Sequence, residues 1–109
     1  MLARALAVDA PILLADEPVA ALDPAHQLSV MQVLGEQARQ GKLIICVSHD
    51  LSLASRFAGR FLVLERGRIA ALGPYAEALT DDIYARVFGV TTRRFESDGE
   101  TLTMPWASV

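Results

Sequence analysis

Ile12-Leu13-Leu14-Ala15-Asp16-Glu17-Pro18 decides the fold: a short apolar run, opened by Pro11, that ends in two adjacent carboxylates. Its length and bounding prolines fit a strand buried on both faces. Asp16 and Glu17 then fall at the strand's carboxyl end, where open parallel α/β sheets place their ligands. Carboxylates beside a buried strand are costly unless something neutralises or uses them. A metal ion, a water to be deprotonated or a helix N-terminus would each serve.

Outward from this strand, the chain supplies the rest of a βαβ unit. Asp23-Pro24 is a helix start, with Asp23 as N-cap and Pro24 at the first helical position. Leu28, Met31, Leu34 and Ala38 follow at helical spacing, and Gly41 ends the helix. Leu43-Ile44-Ile45-Cys46-Val47 is a second apolar strand, closed by Ser48-His49-Asp50. Strand, helix and strand with short joints predict parallel strands and a right-handed crossover. Asp16-Glu17 and Ser48-His49-Asp50 therefore share one sheet edge, roughly 5–10 Å apart for neighbouring strands.

Each residue also has a plain reading. Asp23 alone is a helix cap, Asp50 a cap for the short helix after it, and His49 a hydrogen-bonded structural histidine. His26 and the pair Arg93-Arg94 read as solvated surface, and Met31 as core. Together the cluster is chemical. Asp16 is suited to Mg²⁺, a hard cation that takes oxygen ligands and keeps its waters. Glu17, pointing the other way along an extended chain, is placed to deprotonate an attacking water. His49 can donate to a phosphate oxygen, and Asp23, on a loop beyond the site, can touch a facing subunit.

The flanks add smaller elements. Residues 1–8 are Ala/Leu-rich and read as the end of a helix without a start. Residues 61–64 and 69–72 flank Glu65-Arg66-Gly67-Arg68 as a β-hairpin. Short helices at 75–79 and 81–88 precede Gly89, and Asp98-Gly99 marks a small hairpin in the polar tail.

The chain has 109 residues, 52% of them hydrophobic, and a formal net charge of −3. That is one modest domain or part of a larger one. No stretch approaches a bilayer span, and the N-terminus lacks the h-region of a signal peptide. A lone cysteine, Cys46, fits a buried residue in a reducing cytoplasm. Mild acidity without a basic cluster gives no nucleic-acid footprint, so no nucleic-acid partner is expected.

Taken in order, these motifs resemble those of ATP-binding cassette (ABC) ATPases. Residues 12–18 resemble the Walker B motif, Ala20-Ala21-Leu22-Asp23 the D-loop, and Val47-Ser48-His49-Asp50 the switch-histidine loop. Arg4-Ala5-Leu6-Ala7 is similar to the helix after the family's signature motif. The resemblance covers residues 1–90 as the C-terminal part of a nucleotide-binding domain, with 91–109 as a tail. Gly67-Arg68-Ile69, Gly73-Pro74 and residues 79–90 look most like importer subunits for iron-siderophore, haem or cobalamin.

The resemblance implies a three-layer α/β P-loop NTPase fold, with parallel strands at 12–16 and 43–47 and an antiparallel hairpin near 61–72. It implies Asp16 as the Mg²⁺ ligand, Glu17 as catalytic base, His49 as the catalytic switch on the γ-phosphate of ATP, and Asp23 as the nucleotide-binding D-loop aspartate that couples two subunits. It further implies a second ATPase subunit, a transmembrane permease and a place at the cytoplasmic face of the inner membrane. The usual D-loop serine is Ala21 here. The sequence contains no GxxxxGK[ST] phosphate loop, Q-loop or LSGGQ-type signature, and the phosphate loop dominates nucleotide binding. The expectation is therefore the C-terminal half of such an ATPase, inactive alone, with Met1 an internal methionine or the gene truncated or split. Alternatives are a non-transport ABC ATPase acting on DNA or ribosomes, a non-enzymatic remnant, and an unrelated metallohydrolase using Asp16, Asp23 and His49.

Overall fold

The computed structural model describes residues 10–109. The expected helix over residues 1–8, with Arg4-Ala5-Leu6-Ala7, lies outside them. The chain divides into two compact units, one ending at Phe57 and the other spanning Ala58–Val109.

The first unit is the βαβ crossover. β1 (Ile12–Asp16) pairs in parallel with β2 (Leu43–Val47), Ile12 opposite Leu43 and Asp16 opposite Val47. The joining helix, α1 (Pro24–Arg39), starts where Asp and Pro require it. Asp23 is extended at φ −71°, ψ 165°, its carboxylate accepts from the helix's first turn, and Pro24 sits where no N–H is needed. Gln40 caps the far end, and Gly41 turns the chain at φ 98°, a left-handed conformation that L-residues avoid. α2 (Leu51–Phe57) follows β2, and the Asp50 carboxylate caps it by accepting from the Leu53 N–H at 2.9 Å.

Ala15, Val19, Met31 and Leu34 form the buried core of this unit, with Leu13, Val30, Ile44, Leu53 and Phe57 packed around them. Met31 is core, as its spacing predicts. Leu28 and Ala38, on the same expected stripe, are exposed.

Burial of β1 on both faces is not what the structure contains. Leu13 and Ala15 face the core, whereas Ile12 is 58% and Leu14 66% exposed. Leu43, Ile45 and Val47 repeat the pattern on β2. Strand side chains alternate between faces, and among the described residues only one face of the pair is covered.

In the second unit, β3 (Phe61–Glu65) and β4 (Arg68–Gly73) form the expected antiparallel hairpin. Arg66 (φ 51°) and Gly67 (φ 76°) are both left-handed, the signature of a two-residue type I′ turn. α3 (Tyr75–Ala78) and α4 (Asp81–Phe88) follow. Thr80 caps α4 through its hydroxyl, which accepts from the Ile83 N–H at 3.2 Å, and Gly89 ends the helix in the left-handed region. Val63, Ala78, Leu79, Ile83 and Tyr84 are the core. The Tyr84 hydroxyl lies 3.1 Å from that of Tyr75, and Phe61 meets the Tyr75 ring edge-on.

The last residues form a longer hairpin than their polarity suggested: β5 (Val90–Ser97) and β6 (Glu100–Ser108) turn at Asp98-Gly99. One face packs on α4. Arg94 and Thr92 both donate to the Asp81 carboxylate, Arg94 through two nitrogens at 2.7 and 3.2 Å. The guanidinium of Arg93 stacks 4.3 Å from the centre of the Trp106 ring. The two arginines that read as solvated surface are therefore engaged, though both are exposed.

Candidate functional site

The parallel register carries both polar clusters to the same edge. β1 ends at Asp16, opposite Val47 at the end of β2. One residue on, the Glu17 N–H donates to the Val47 carbonyl at 2.7 Å, extending the ladder just past the strand. Glu17 then turns sharply at φ 47°, a conformation sparsely populated by residues with a side chain. Such outliers persist where the surroundings over-determine them, often at functional sites.

The turn directs the Glu17 carboxylate across the strand ends to His49, whose Nε2 is 2.5 Å from Glu17 Oε1. His49 is 88% exposed at its side chain and Glu17 38%, so the pair meets within reach of solvent. Asp16 is exposed and has no side-chain partner among the described residues. The expected neighbourhood of Asp16, Glu17 and His49 is thus present, with direct contact between the last two.

Asp23 is positioned separately, at the N-terminus of α1. Its Oδ1 accepts from both the His26 backbone N–H (2.9 Å) and the His26 Nδ1 (2.7 Å). The backbone bond first and the imidazole second hold the Asp23 carboxyl below its usual range. His26 is on the surface, as its place on the helix predicts, but it is bonded rather than free.

Between Glu17 and Asp23 the chain makes two tight turns, closed by Ala20 N–H to Glu17 O (3.2 Å) and Leu22 N–H to Val19 O (3.3 Å). Ala21 is left-handed at φ 64°. The half-buried Gln27 reaches back from α1, and its Nε2 donates to the Val19 carbonyl at 3.3 Å. Sequence reasoning missed this residue: a bond from a side chain to a carbonyl eight positions earlier leaves no periodic mark.

Among the described residues, no three His, Cys, Asp or Glu side chains converge to cage a metal. The donor set instead fits an ion that takes one carboxylate oxygen and draws its other ligands from phosphate and water, the habit of Mg²⁺. Asp16, an exposed carboxylate at the strand end, is the residue that could supply that oxygen. Cys46, expected to be buried, is half-buried on β2 behind this edge, and that burial raises its thiol above the usual range.

Comparison with known proteins places these elements in context. No family model matches the chain. A hemin import ATP-binding protein, HmuV, from Rhodococcus jostii is 44% identical over 106 residues, covering 95% of this chain and 36% of that protein. The dimeric post-hydrolysis state of the ATP-binding cassette MJ0796, bound to ADP and phosphate, is 36% identical with a TM-score of 0.62. It covers 67% of this chain and 32% of that one. A metal-chelate type ABC transporter in an inward-facing conformation has the same fold at a TM-score of 0.83, with 24% identity, over 96% of this chain and 43% of its own. The chain spans about a third of the length of the curated relatives it matches.

Proposed function

Because the chain belongs to the family of ATP-binding cassette ATPases, we propose that it carries the hydrolytic edge of an ATPase subunit that powers import of haem, or of a related iron-siderophore or cobalamin. The observation that carries this reading is the Glu17–His49 contact at the ends of two adjacent parallel strands. A carboxylate and an imidazole brought to one point from separate strands suit proton transfer beside a phosphate.

In this mechanism the Glu17 carboxylate orients a water and takes its proton as the water oxygen bonds to the γ-phosphorus. The bond from that phosphorus to the bridging oxygen of ADP breaks, and Glu17 returns the proton to solvent. His49 leaves Glu17 and donates a hydrogen bond to a γ-phosphate oxygen. Asp16 would hold Mg²⁺, which would supply neutralisation of the phosphate charge. Asp23 lies beyond the nucleotide, toward a second ATPase subunit, and Ala21, where a D-loop serine would offer a hydroxyl, offers its backbone.

The cradle for the phosphates is not among these 109 residues, which contain no GxxxxGK[ST] sequence. Without that cradle the carboxylates of this edge repel a nucleotide. The working unit is accordingly a cassette completed by a phosphate-loop segment and paired with a second copy. It docks on a transmembrane permease at the cytoplasmic face of the inner membrane. No described helix is itself long and apolar enough to cross a membrane.

The test is ATP hydrolysis by the completed cassette, with and without Glu17→Gln. Hydrolysis by the parent and ATP binding without turnover by the variant support the reading. Normal hydrolysis by the 109 residues alone, or an active Glu17→Gln cassette, overturns it. Haem-dependent stimulation in permease-containing vesicles tests the cargo; strongly salt-dependent nucleic-acid binding would instead favour a non-transport ATPase.

A further inference from the structure

We propose that Gln27 is a positioning residue, whose side-chain amide sets the loop between Glu17 and Asp23, with His26 fixing the Asp23 carboxylate at the loop's far end. The proposal rests on the ATPase reading above and deepens it.

The loop has an unfavourable shape to hold. It begins at Glu17 and includes Ala21, both with side chains and both left-handed at φ 47° and 64°. Its internal bonds span only three residues each, from Ala20 to Glu17 and from Leu22 to Val19. Turns of this kind do not fix how the loop sits against the helix that follows. Val19 does. Its side chain is buried in the core, at 5% exposure, beside Ala15, Met31 and Leu34. Its carbonyl oxygen accepts twice, from the Leu22 N–H and from Gln27 Nε2. An sp² oxygen has two lone pairs, and here each has a donor. The amide of Gln27 thereby holds the carbonyl in the orientation that also closes the turn through Ala21.

The residue type matters. Gln supplies N–H donors on a neutral arm long enough to span from the first turn of α1 back to Val19. A glutamate of the same shape, when ionised, has no donor and would set its charge against a carbonyl oxygen. The neighbouring His26 acts on the other end. An N-cap needs only the backbone N–H bond, yet His26 Nδ1 adds a second donor to the same Asp23 oxygen. That adds a second restraint on the side-chain rotamer. Successive residues of one helical turn thus tie the loop at its middle and at its end.

The test uses the completed cassette and the isolated chain in parallel. In the cassette, Gln27→Glu should lower kcat about tenfold or more, since small misplacements of catalytic groups cost factors of this size. KM for ATP should stay within about twofold, because the nucleotide is held mainly by the phosphate loop. Gln27→Lys, which restores a donor, should recover part of the lost kcat, and thermal melts should show all variants folded at the assay temperature. A Gln27→Glu cassette with parental kcat overturns the proposal, as does equal loss in the Lys variant. In the isolated chain, hydrogen exchange at the Leu22 amide should accelerate at least about tenfold in Gln27→Glu; unchanged exchange overturns the clamp. An inactive parent cassette with accelerated Leu22 exchange would sink the ATPase reading and leave the clamp standing.

Discussion

His49 Nε2 and Glu17 Oε1 meet at 2.5 Å across the ends of two parallel strands, joined underneath by the bond from Glu17 N–H to the Val47 carbonyl. In the proposed mechanism an incoming phosphate competes with the Glu17 carboxylate for the His49 imidazole, so His49 would rest on Glu17 without nucleotide and on phosphate with it. Glu17→Gln keeps the shape and removes the proposed base. In the completed cassette it should reduce hydrolysis by about 10²–10⁴-fold while ATP binding, measured by equilibrium dialysis, persists.

The left-handed Ala21 is expected to store strain that glycine would release. A side chain at such a position costs roughly 1–2 kcal/mol, and glycine returns part of that as unfolded-state entropy. Ala21→Gly should therefore raise stability by about 0.5–1 kcal/mol, seen as a higher urea midpoint at unchanged slope. A lower midpoint would mean that the Ala21 methyl makes a compensating contact.

Tyr84 is fully buried, and burial together with the Tyr75 hydroxyl drives its ionisation far above the ordinary range. Its hydroxyl acts as a neutral hydrogen-bonding group at every pH of interest. Tyr84→Phe keeps the ring and loses one bond, so the second unit should be destabilised by about 1 kcal/mol. Tyr84→Ala should cost about 3–5 kcal/mol, the range for large-to-small core changes.

Asp81 gives the second unit an acid-sensitive tie. Hydrogen bonds from Arg94 first, and Thr92 next, hold its carboxyl below the ordinary value of 3.8. A depressed carboxyl stabilises the fold fully above that ordinary value, and the contribution disappears as pH falls through the lower folded-state value. Stability should therefore fall on acidification below about pH 4, and Asp81→Asn should flatten that limb. Asp23 and Glu36 shift in the same direction, so the difference between parent and variant is the informative curve.

The uncovered face of β1 and β2 predicts association of the isolated chain. Ile12, Leu14, Leu43, Ile45 and Val47 lie exposed together, and contiguous apolar patches of this kind drive self-association. Sedimentation should show concentration-dependent oligomers, and Leu14→Glu with Ile45→Lys should shift the chain toward monomer. A monomeric parent with a sharp cooperative melt would refute this.

Most of the local architecture was legible because it depends on neighbours in sequence. Asp23-Pro24, Gly41, Arg66-Gly67, Asp98-Gly99 and Gly89 each dictate a backbone conformation within a few residues, and the apolar runs gave both parallel strands. The shared edge of Asp16-Glu17 and Ser48-His49-Asp50 followed from βαβ topology, whereas the direct Glu17–His49 contact is a finding of the structure. The left-handed turn at Glu17, the Gln27 clamp and the stacking of Arg93 on Trp106 were not legible either. They depend on distant partners, and a carboxylate or amide carries no sign of which carbonyl or ring it will meet. The continuous apolar run of β1 predicted two covered faces, whereas the described residues supply a cover for one.

The distribution of chromophores between the units has an optical consequence. Trp106 is the single tryptophan, and the only tyrosines are Tyr75 and Tyr84, so all three lie beyond Ala58. Ultraviolet fluorescence will therefore report the melting of the second unit and remain nearly blind to the unit that carries Glu17 and His49. Arg93 above the Trp106 ring makes that emission sensitive to the hairpin's integrity. The edge that carries Glu17 and His49 must be followed by a label introduced for the purpose.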